Sequence, residues 1–115
     1  GQPVLVHCAA GKDRTGSLCS IILGCLGVGK TIQMSDYMLT MKAVDIDSYL
    51  LPAAKMFTAR YGREIDPEAI RPMFGVEEAY LESSFNTIIN MNEYIREELD
   101  VSEEEISAIK EAYLE

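Results

Sequence analysis

A cysteine and an arginine separated by five residues stand near the start of this 115-residue chain, in the stretch HCAAGKDRTG at residues 7–16. A thiolate ringed by backbone N–H groups at a helix start has a lowered pKa and becomes a nucleophile at neutral pH. An arginine beside it presents a fork of donors that can clamp two oxygens of a phosphate group. The spacing of Cys8 and Arg14 therefore predicts nucleophilic attack on a phosphate ester.

The residues around this pair fit the same chemistry. Gly11 allows a backbone conformation that other residues resist, and the Thr15 hydroxyl can bond the sulfur and help it leave. We expect His7 to be a supporting residue that orients the Cys8 backbone and tunes the thiolate. Backbone N–H groups at a helix start bind anions, and those expected to bind the phosphate belong to Ala9, Ala10, Gly11, Lys12, Asp13 and Arg14.

The elements that position this loop are predicted from apolar runs on either side of it. Residues 3–7 are too short for a helix and suit a strand buried on both faces of a sheet. Residues 15–26 carry apolar side chains at helical spacing and around the cylinder, which predicts a helix buried nearly all round. Because no other run resembles a strand, we expect the C-terminal, mostly helical portion of an α/β domain, with further sheet strands upstream.

About six helices are expected after the strand. Gly62 is a typical helix stop, and Asp66-Pro67 is a typical helix start. Ser102-Glu103-Glu104-Glu105 is a capping box that places Ile106, Ile109 and Tyr113 inward. Beyond residues 15–26, the predicted helices cover residues 32–44, 47–61, 66–73, 77–91, 92–99, and 102 onward. In the helix over residues 77–91, the side chains expected to face inward are Leu81, Phe85, Ile88 and Ile89.

The charge of the chain is divided between its two parts. Residues 1–63 hold seven Lys and Arg against four Asp and Glu, a net +3, whereas residues 64–115 hold three against fifteen, a net −12. The basic part, which contains the loop, suits a small anionic substrate. The acidic part argues against binding to nucleic acid, because that binding depends on Lys and Arg neutralising phosphates.

Three cysteines without a C-x-x-C pair suggest neither a disulfide framework nor a metal site. We expect no cofactor and no metal. No apolar run approaches the roughly 20 residues of a transmembrane helix, and the N-terminus lacks the features of a signal peptide. A cytoplasmic location is the expectation, with secretion in a longer precursor left open.

A second phosphate motif competes with the first. Residues 24–31, GCLGVGKT, fit the nucleotide-binding pattern G-x-x-x-x-G-K-[ST]. That pattern requires residues 18–23 to be a strand, but these residues continue the helical spacing that starts before them. We therefore interpret this match as coincidental.

The pattern C-x5-R-T-G resembles the signature of the cysteine-dependent protein tyrosine phosphatase superfamily, and HCAAGKDRTG resembles that of its bacterial HCxxGKDRTG branch. Further segments are similar to the same branch: LGV at residues 26–28, DYMLT at 36–40, YLE at 80–82, YI at 94–95 and VS at 101–102. The resemblance implies that residues 1–115 are the C-terminal part of one phosphatase domain, with a strand at 3–7, a phosphate loop at 8–14 and helices to 115. The missing N-terminal half of that domain would then be a partner.

The resemblance also implies an activity: hydrolysis of phosphotyrosine on proteins through a phosphocysteine intermediate. Phosphoserine, phosphothreonine and phosphoinositide substrates stay open. In that branch the loop aspartate is the general acid, a role that transfers to Asp13; the alternative is that Asp13 only braces the loop by pairing with an arginine. Lys12 either adds positive charge at the mouth for multiply phosphorylated substrates or is a solvated surface lysine. As an alternative to an enzyme, the chain is an inactive fragment or a phosphate-binding module.

Overall fold

A computed structural model describes residues 2–114 of the chain. Within that range the backbone forms seven α-helices, one 3₁₀ helix and one π-helical turn. The α-helices are α1 (Asp13–Cys25), α2 (Lys30–Met38), α3 (Thr40–Ala43), α4 (Ile46–Tyr61), α5 (Glu78–Thr87), α6 (Met91–Glu93) and α7 (Glu103–Tyr113). The 3₁₀ helix spans Glu68–Met73 and the π-helical turn spans Tyr94–Glu98.

The predicted strand at residues 3–7 is wrong. These residues have no regular secondary structure, and Val4 and Leu5 are 84 % and 86 % exposed. A strand is stable only where its backbone groups pair with a neighbouring strand, and no residue between 2 and 114 is in one. The apolar run is therefore an exposed, irregular segment that leads into Cys8, and the described fold is mostly helical, as expected for the rest of the chain.

Helix α1 is confirmed, but it is not buried all round as predicted. Its neighbours α2, α5, α6 and α7 cover one side, and Leu18 and Ile22 are exposed. The buried side carries small residues: the Ser20 hydroxyl donates to Gln33 Oε1 over 2.8 Å, and a Cβ on Gly24 would lie 2.8 Å from Met91 Cγ. Small side chains let the neighbouring helices approach closely, so size, not apolarity, decides which face of α1 packs.

The next two predicted helices are found with changed bounds. The one expected over residues 32–44 is divided at Leu39 into α2 and α3. The one expected over residues 47–61 is α4, and it stops at Gly62 as predicted, because Gly62 has φ +67° in the left-handed region that glycine adopts most readily.

Two separate clusters of buried side chains form the core. The first consists of Tyr37, Val76, Leu81 and Phe85, and the second consists of Ile46, Leu50, Ala54 and Ile70. The described chain is accordingly elongated, about 54 × 30 × 23 Å. Residues 72–77 connect the clusters, since Phe74 packs on the second and Val76 belongs to the first.

The C-terminal helices follow the sequence closely in their caps and less closely in their packing. The Ser102 and Glu105 side chains make the predicted capping box. Tyr113 was expected inward but is 74 % exposed, and Ile89 is 89 % exposed because α5 already ends at Thr87. Among the described helices, none has the length and apolar composition needed to cross a membrane.

Candidate active site

The predicted phosphate loop leads directly into α1. The helix begins at Asp13, so Asp13 and Arg14 lie in its first turn. The Gly16 N–H donates to the Lys12 carbonyl oxygen over 2.7 Å and closes that turn. Gly11 has φ +67°, the left-handed conformation that a tight loop requires and that glycine adopts without strain. The fold thus brings residues 8–15 together in one loop and helix start.

Cys8 has an activated thiol. Its pKa is lowered from 9.0 to about 6, chiefly by hydrogen bonding from the Thr15 hydroxyl and then from the Thr15 backbone N–H. The backbone N–H groups of Ala10 and Gly11 contribute less, and partial burial acts in the opposite direction. Donors that point at the sulfur favour its charged form, so most of the Cys8 side chains are thiolates at neutral pH.

The Thr15 hydroxyl stands in an unusual position. Its oxygen is buried and makes no hydrogen bond of standard geometry with any group of residues 2–114. Its effect on the thiolate therefore depends on the hydroxyl turning towards the Cys8 sulfur when that sulfur carries the charge. A buried hydroxyl without another partner is well placed to do so, because an unpaired buried donor is costly.

The Arg14 guanidinium is exposed in the first turn of α1. Within residues 2–114 it forms no ion pair, whereas Arg71 pairs with Glu68 and Asp47, and Arg96 pairs with Glu103. Among the described residues, no carboxylate therefore pairs with the donors of Arg14.

Lys12 and Asp13 form an ion pair. Lys12 Nζ lies 2.9 Å from Asp13 Oδ2 and donates to Asp13 Oδ1 over 3.0 Å. Asp13 thus pairs with the lysine next to it and with no arginine among the described residues. Lys12 is buried, with 7 % of its surface exposed, so it is not the solvated surface lysine of the sequence-based alternative.

The remaining predicted site residues are more exposed. His7 is exposed and its ring makes no hydrogen bond within the part of the chain that the structure describes, and Ala9 and Ala10 are exposed in the loop. Their expected roles in supporting Cys8 and binding phosphate stay predictions.

A cleft of about 570 Å³ adjoins the loop. Its lining includes Ala10, Gly11 and Lys12 of the loop but neither Cys8 nor Arg14. The remaining lining residues are Asp36, Leu39, Thr40, Ala43, Val44, Tyr49, Met73 and Phe74. The rings of Tyr49 and Phe74 are stacked, with centroids 6.2 Å apart. A slightly larger cleft of about 640 Å³ between α2 and α5 contains no loop residue, so the smaller one is the candidate substrate cleft.

Sequence reasoning missed the residues that support the loop from other helices. A Cβ on Gly16 would lie 2.5 Å from Tyr37 Cδ2, so the start of α1 rests directly on the Tyr37 ring. Burial is the main cause that raises the pKa of Tyr37, and the negative charge of Asp13 adds to it. A glycine in the first turn of a helix was the signal for this close approach.

The second phosphate motif lies in a different structural context from the one it requires. Residues 18–23 belong to α1 and not to a strand, and Lys30 Nζ lies over the Phe85 ring, 5.1 Å from its centre. Among the described residues, no group of three His, Cys, Asp or Glu side chains could hold a metal ion.

Comparison with known proteins relates the chain to tyrosine phosphatases. A family model described as the tyrosine phosphatase family matches residues 1–115. The chain is 30 % identical over 96 residues to the triple specificity protein phosphatase PtpB of Mycobacterium tuberculosis, an alignment that covers 76 % of the chain and 34 % of PtpB. It is also 29 % identical over 105 residues to a Cupriavidus necator protein named provisionally as a tyrosine-protein phosphatase. That alignment covers 88 % of the chain and 37 % of the relative.

No solved structure matches the chain. The chain spans about a third of the length of the two relatives. Because the family model matches the whole of it, the chain belongs to the tyrosine phosphatase family.

Proposed function

We propose that this chain carries the catalytic loop of a phosphomonoesterase that hydrolyses protein phosphotyrosine through a phosphocysteine intermediate. The observation that supports this most strongly is the shared loop of a thiol with a pKa of about 6 and an exposed arginine that is unpaired within residues 2–114. In this mechanism Cys8 is the nucleophile, Arg14 binds the phosphate oxygens and Asp13 is the general acid and base.

In the first step the Cys8 thiolate attacks phosphorus, and the bond between phosphorus and the phenolic oxygen breaks. The electron pair of that bond goes to the oxygen, which takes a proton from Asp13. Backbone N–H groups of the loop and the Arg14 guanidinium hold the three other oxygens, where charge redistributes in the transition state. The products of this step are tyrosine and a phosphocysteine.

In the second step a water molecule attacks the phosphorus and gives a proton to the Asp13 carboxylate. The bond between sulfur and phosphorus breaks, and its electron pair returns to Cys8 as a thiolate. The donors that lower the pKa of Cys8 make this thiolate a good leaving group. Thr15 is the residue whose hydroxyl serves this step. A reducing compartment such as the cytoplasm suits this chemistry, because oxidation of Cys8 would remove the nucleophile.

The candidate substrate cleft favours an aryl phosphate. Its lining includes the stacked rings of Tyr49 and Phe74 together with aliphatic side chains, and aromatic surfaces of this kind stabilise a bound aromatic ring. The Mycobacterium tuberculosis relative is named a triple specificity protein phosphatase. Phosphoserine, phosphothreonine and phosphoinositides therefore belong among the substrates to be tested.

Hydrolysis of p-nitrophenyl phosphate by the full-length protein tests the proposal. Cys8→Ser should abolish turnover, whereas Cys19→Ser, a control in the middle of α1, should leave it unchanged. Asp13→Asn should lower kcat by about 10²- to 10⁴-fold, the usual contribution of a general acid. Trapping a phosphocysteine at Cys8 by rapid quenching would identify the intermediate, and full activity of Cys8→Ser would refute the mechanism.

A second candidate function is phosphate binding without turnover. It is favoured by the exposed, irregular course of residues 3–7, because a loosely supported loop loses much of its catalytic advantage. Calorimetric titration with inorganic phosphate, combined with the p-nitrophenyl phosphate assay, discriminates the two functions. A binding module binds phosphate and leaves p-nitrophenyl phosphate intact, whereas an enzyme hydrolyses the ester.

A further inference from the structure

The Lys12 side chain is buried, although Lys12 is one of the residues that line the candidate substrate cleft. Its Nζ donates to the Gly75 carbonyl oxygen over 2.8 Å, to the Pro72 carbonyl oxygen over 3.2 Å and to Asp13 Oδ1 over 3.0 Å. Two of these acceptors lie 60 and 63 residues further along the chain. One ammonium group therefore joins the phosphate loop to a distant segment.

The donors of Lys12 are fully used by these contacts. A lysine ammonium has three N–H donors and no acceptor, and the protein supplies three acceptors from three different groups. Only 8 % of the side chain is exposed. A substrate phosphate could gain a hydrogen bond from Lys12 only if one of these contacts were broken. Two of the three are to backbone carbonyl oxygens, which would then lose their Lys12 donor at a cost in free energy.

The distant segment, residues 72–75, contributes two residues to the lining of the substrate cleft. Met73 and Phe74 line that cleft together with Gly11 and Lys12. The segment itself is held tightly, since a Cβ on Gly75 would lie 3.1 Å from both Ile46 Cδ1 and Met41 Sδ. Lys12 thus connects the loop to the segment that contributes Met73 and Phe74 to the same cleft.

We propose that Lys12 is a positioning residue that fixes the phosphate loop and Asp13 against residues 72–75 and does not itself contact the substrate. This rests on the proposed phosphatase function. It also replaces the sequence-based expectation that Lys12 attracts a second phosphate at the mouth of the site, because that role needs a free ammonium.

The kinetic test compares two substrates. Lys12→Met keeps the length of the side chain and removes its donors, and Lys55→Met is the control, an exposed lysine of α4 outside the cleft. We expect Lys12→Met to lower kcat/KM by about 10- to 100-fold, the usual effect of a misplaced catalytic group. The loss should be equal for p-nitrophenyl phosphate and for a soluble phosphoinositide with two ring phosphates. A loss confined to the phosphoinositide would overturn the proposal, because it would show that Lys12 binds the second phosphate.

A second readout does not require turnover. The rate of Cys8 alkylation by iodoacetamide against pH reports the thiolate that the loop donors stabilise, and it should have a midpoint near 6 in the wild type. Lys12→Met should move the midpoint upward, whereas Lys55→Met should not. If the wild type alkylates with the expected profile but hydrolyses no phosphate ester, the proposed function fails while the Lys12 proposal is still tested.

A variant at the other end of the contact keeps the test decisive if Lys12→Met does not fold. Gly75→Ala leaves Lys12 intact and places a Cβ 3.1 Å from Ile46 Cδ1 and Met41 Sδ, so either these side-chain ends or residues 72–75 must shift by a few tenths of an ångström. It should lower kcat/KM and raise the alkylation midpoint in the same direction as Lys12→Met. If the carbonyl of residue 75 is displaced in Gly75→Ala and the pH profile of Cys8 alkylation is still unchanged, the positioning role of Lys12 is contradicted.

Discussion

Replacing Thr15 with valine should raise the pKa of Cys8. The Thr15 hydroxyl is the largest cause of the lowered pKa, ahead of the backbone N–H groups of Thr15, Ala10 and Gly11. Valine has nearly the same shape and keeps the backbone N–H, so the substitution removes one donor and leaves the loop intact. The pKa should therefore rise from about 6 towards, but not to, the ordinary value of 9.0.

The expected change is large enough to measure by alkylation. If the pKa rises from about 6 to about 7, the thiolate fraction at pH 6 falls from about one half to about one tenth, a roughly fivefold loss of reactivity. At pH 9 the two proteins should react at similar rates, because both thiols are then ionised. Since the thiolate is the reactive form, reactivity disappears as the pH falls through the pKa.

The assay is alkylation by iodoacetamide, followed by mass spectrometry of the peptide that contains Cys8. Cys25 is an internal reference, because burial raises its pKa and it should react slowly at pH 6. Thr31→Val, at an exposed position in α2, is the matched control and should leave the Cys8 profile unchanged. A Thr15→Val profile that superimposes on the wild type would refute the assignment of the hydroxyl as the main stabiliser of the thiolate.

Two further predictions concern stability and are measured by urea unfolding. Gly16→Ser should lower the free energy of unfolding by about 1–3 kcal/mol, because its Cβ would overlap the buried Tyr37 ring, whereas Gly29→Ser, where nothing lies within 4 Å, should not lower it. Leu81→Ala should lower it by about 2–5 kcal/mol, because Leu81 is only 1 % exposed, whereas Leu51→Ala on the exposed side of α4 should change it by less than about 0.5 kcal/mol. Equal effects within either pair would contradict the packing described above.

Sequence patterns predicted most of the helices, and they predicted the helix ends that carry a local capping signal, because local chemistry decides these ends. Gly62 stops α4 through its left-handed backbone, and Ser102 with Glu105 caps α7. These signals act between residues a few positions apart, so a linear sequence contains all the information they need. The pattern of Cys8 and Arg14 on which the proposed function rests is local in the same sense.

Structural features that depend on residues far apart in the sequence were predicted less well. The apolar run at residues 3–7 resembles a strand, but strand formation depends on a pairing partner that the described chain does not contain. The apolar surface of α1 resembles a buried helix, yet its neighbours pack on Ser20 and Gly24 instead. The partners of Lys12 lie 60 or more residues away, and no spacing rule connects positions so far apart.

The residues after Cys8 are held by the helices, whereas the segment before it is not. Ionisation of the Cys8 thiol and the position of its sulfur therefore depend on different parts of the chain. The donors that lower the pKa of Cys8 all follow it in the chain, and they are held by α1 on the Tyr37 ring and by Lys12 on residues 72–75. The segment before Cys8 is exposed and irregular. Stabilisation of the thiolate therefore depends on the helical part of the fold, whereas in the proposed mechanism the position of the sulfur relative to phosphorus also depends on how residues 2–7 are held.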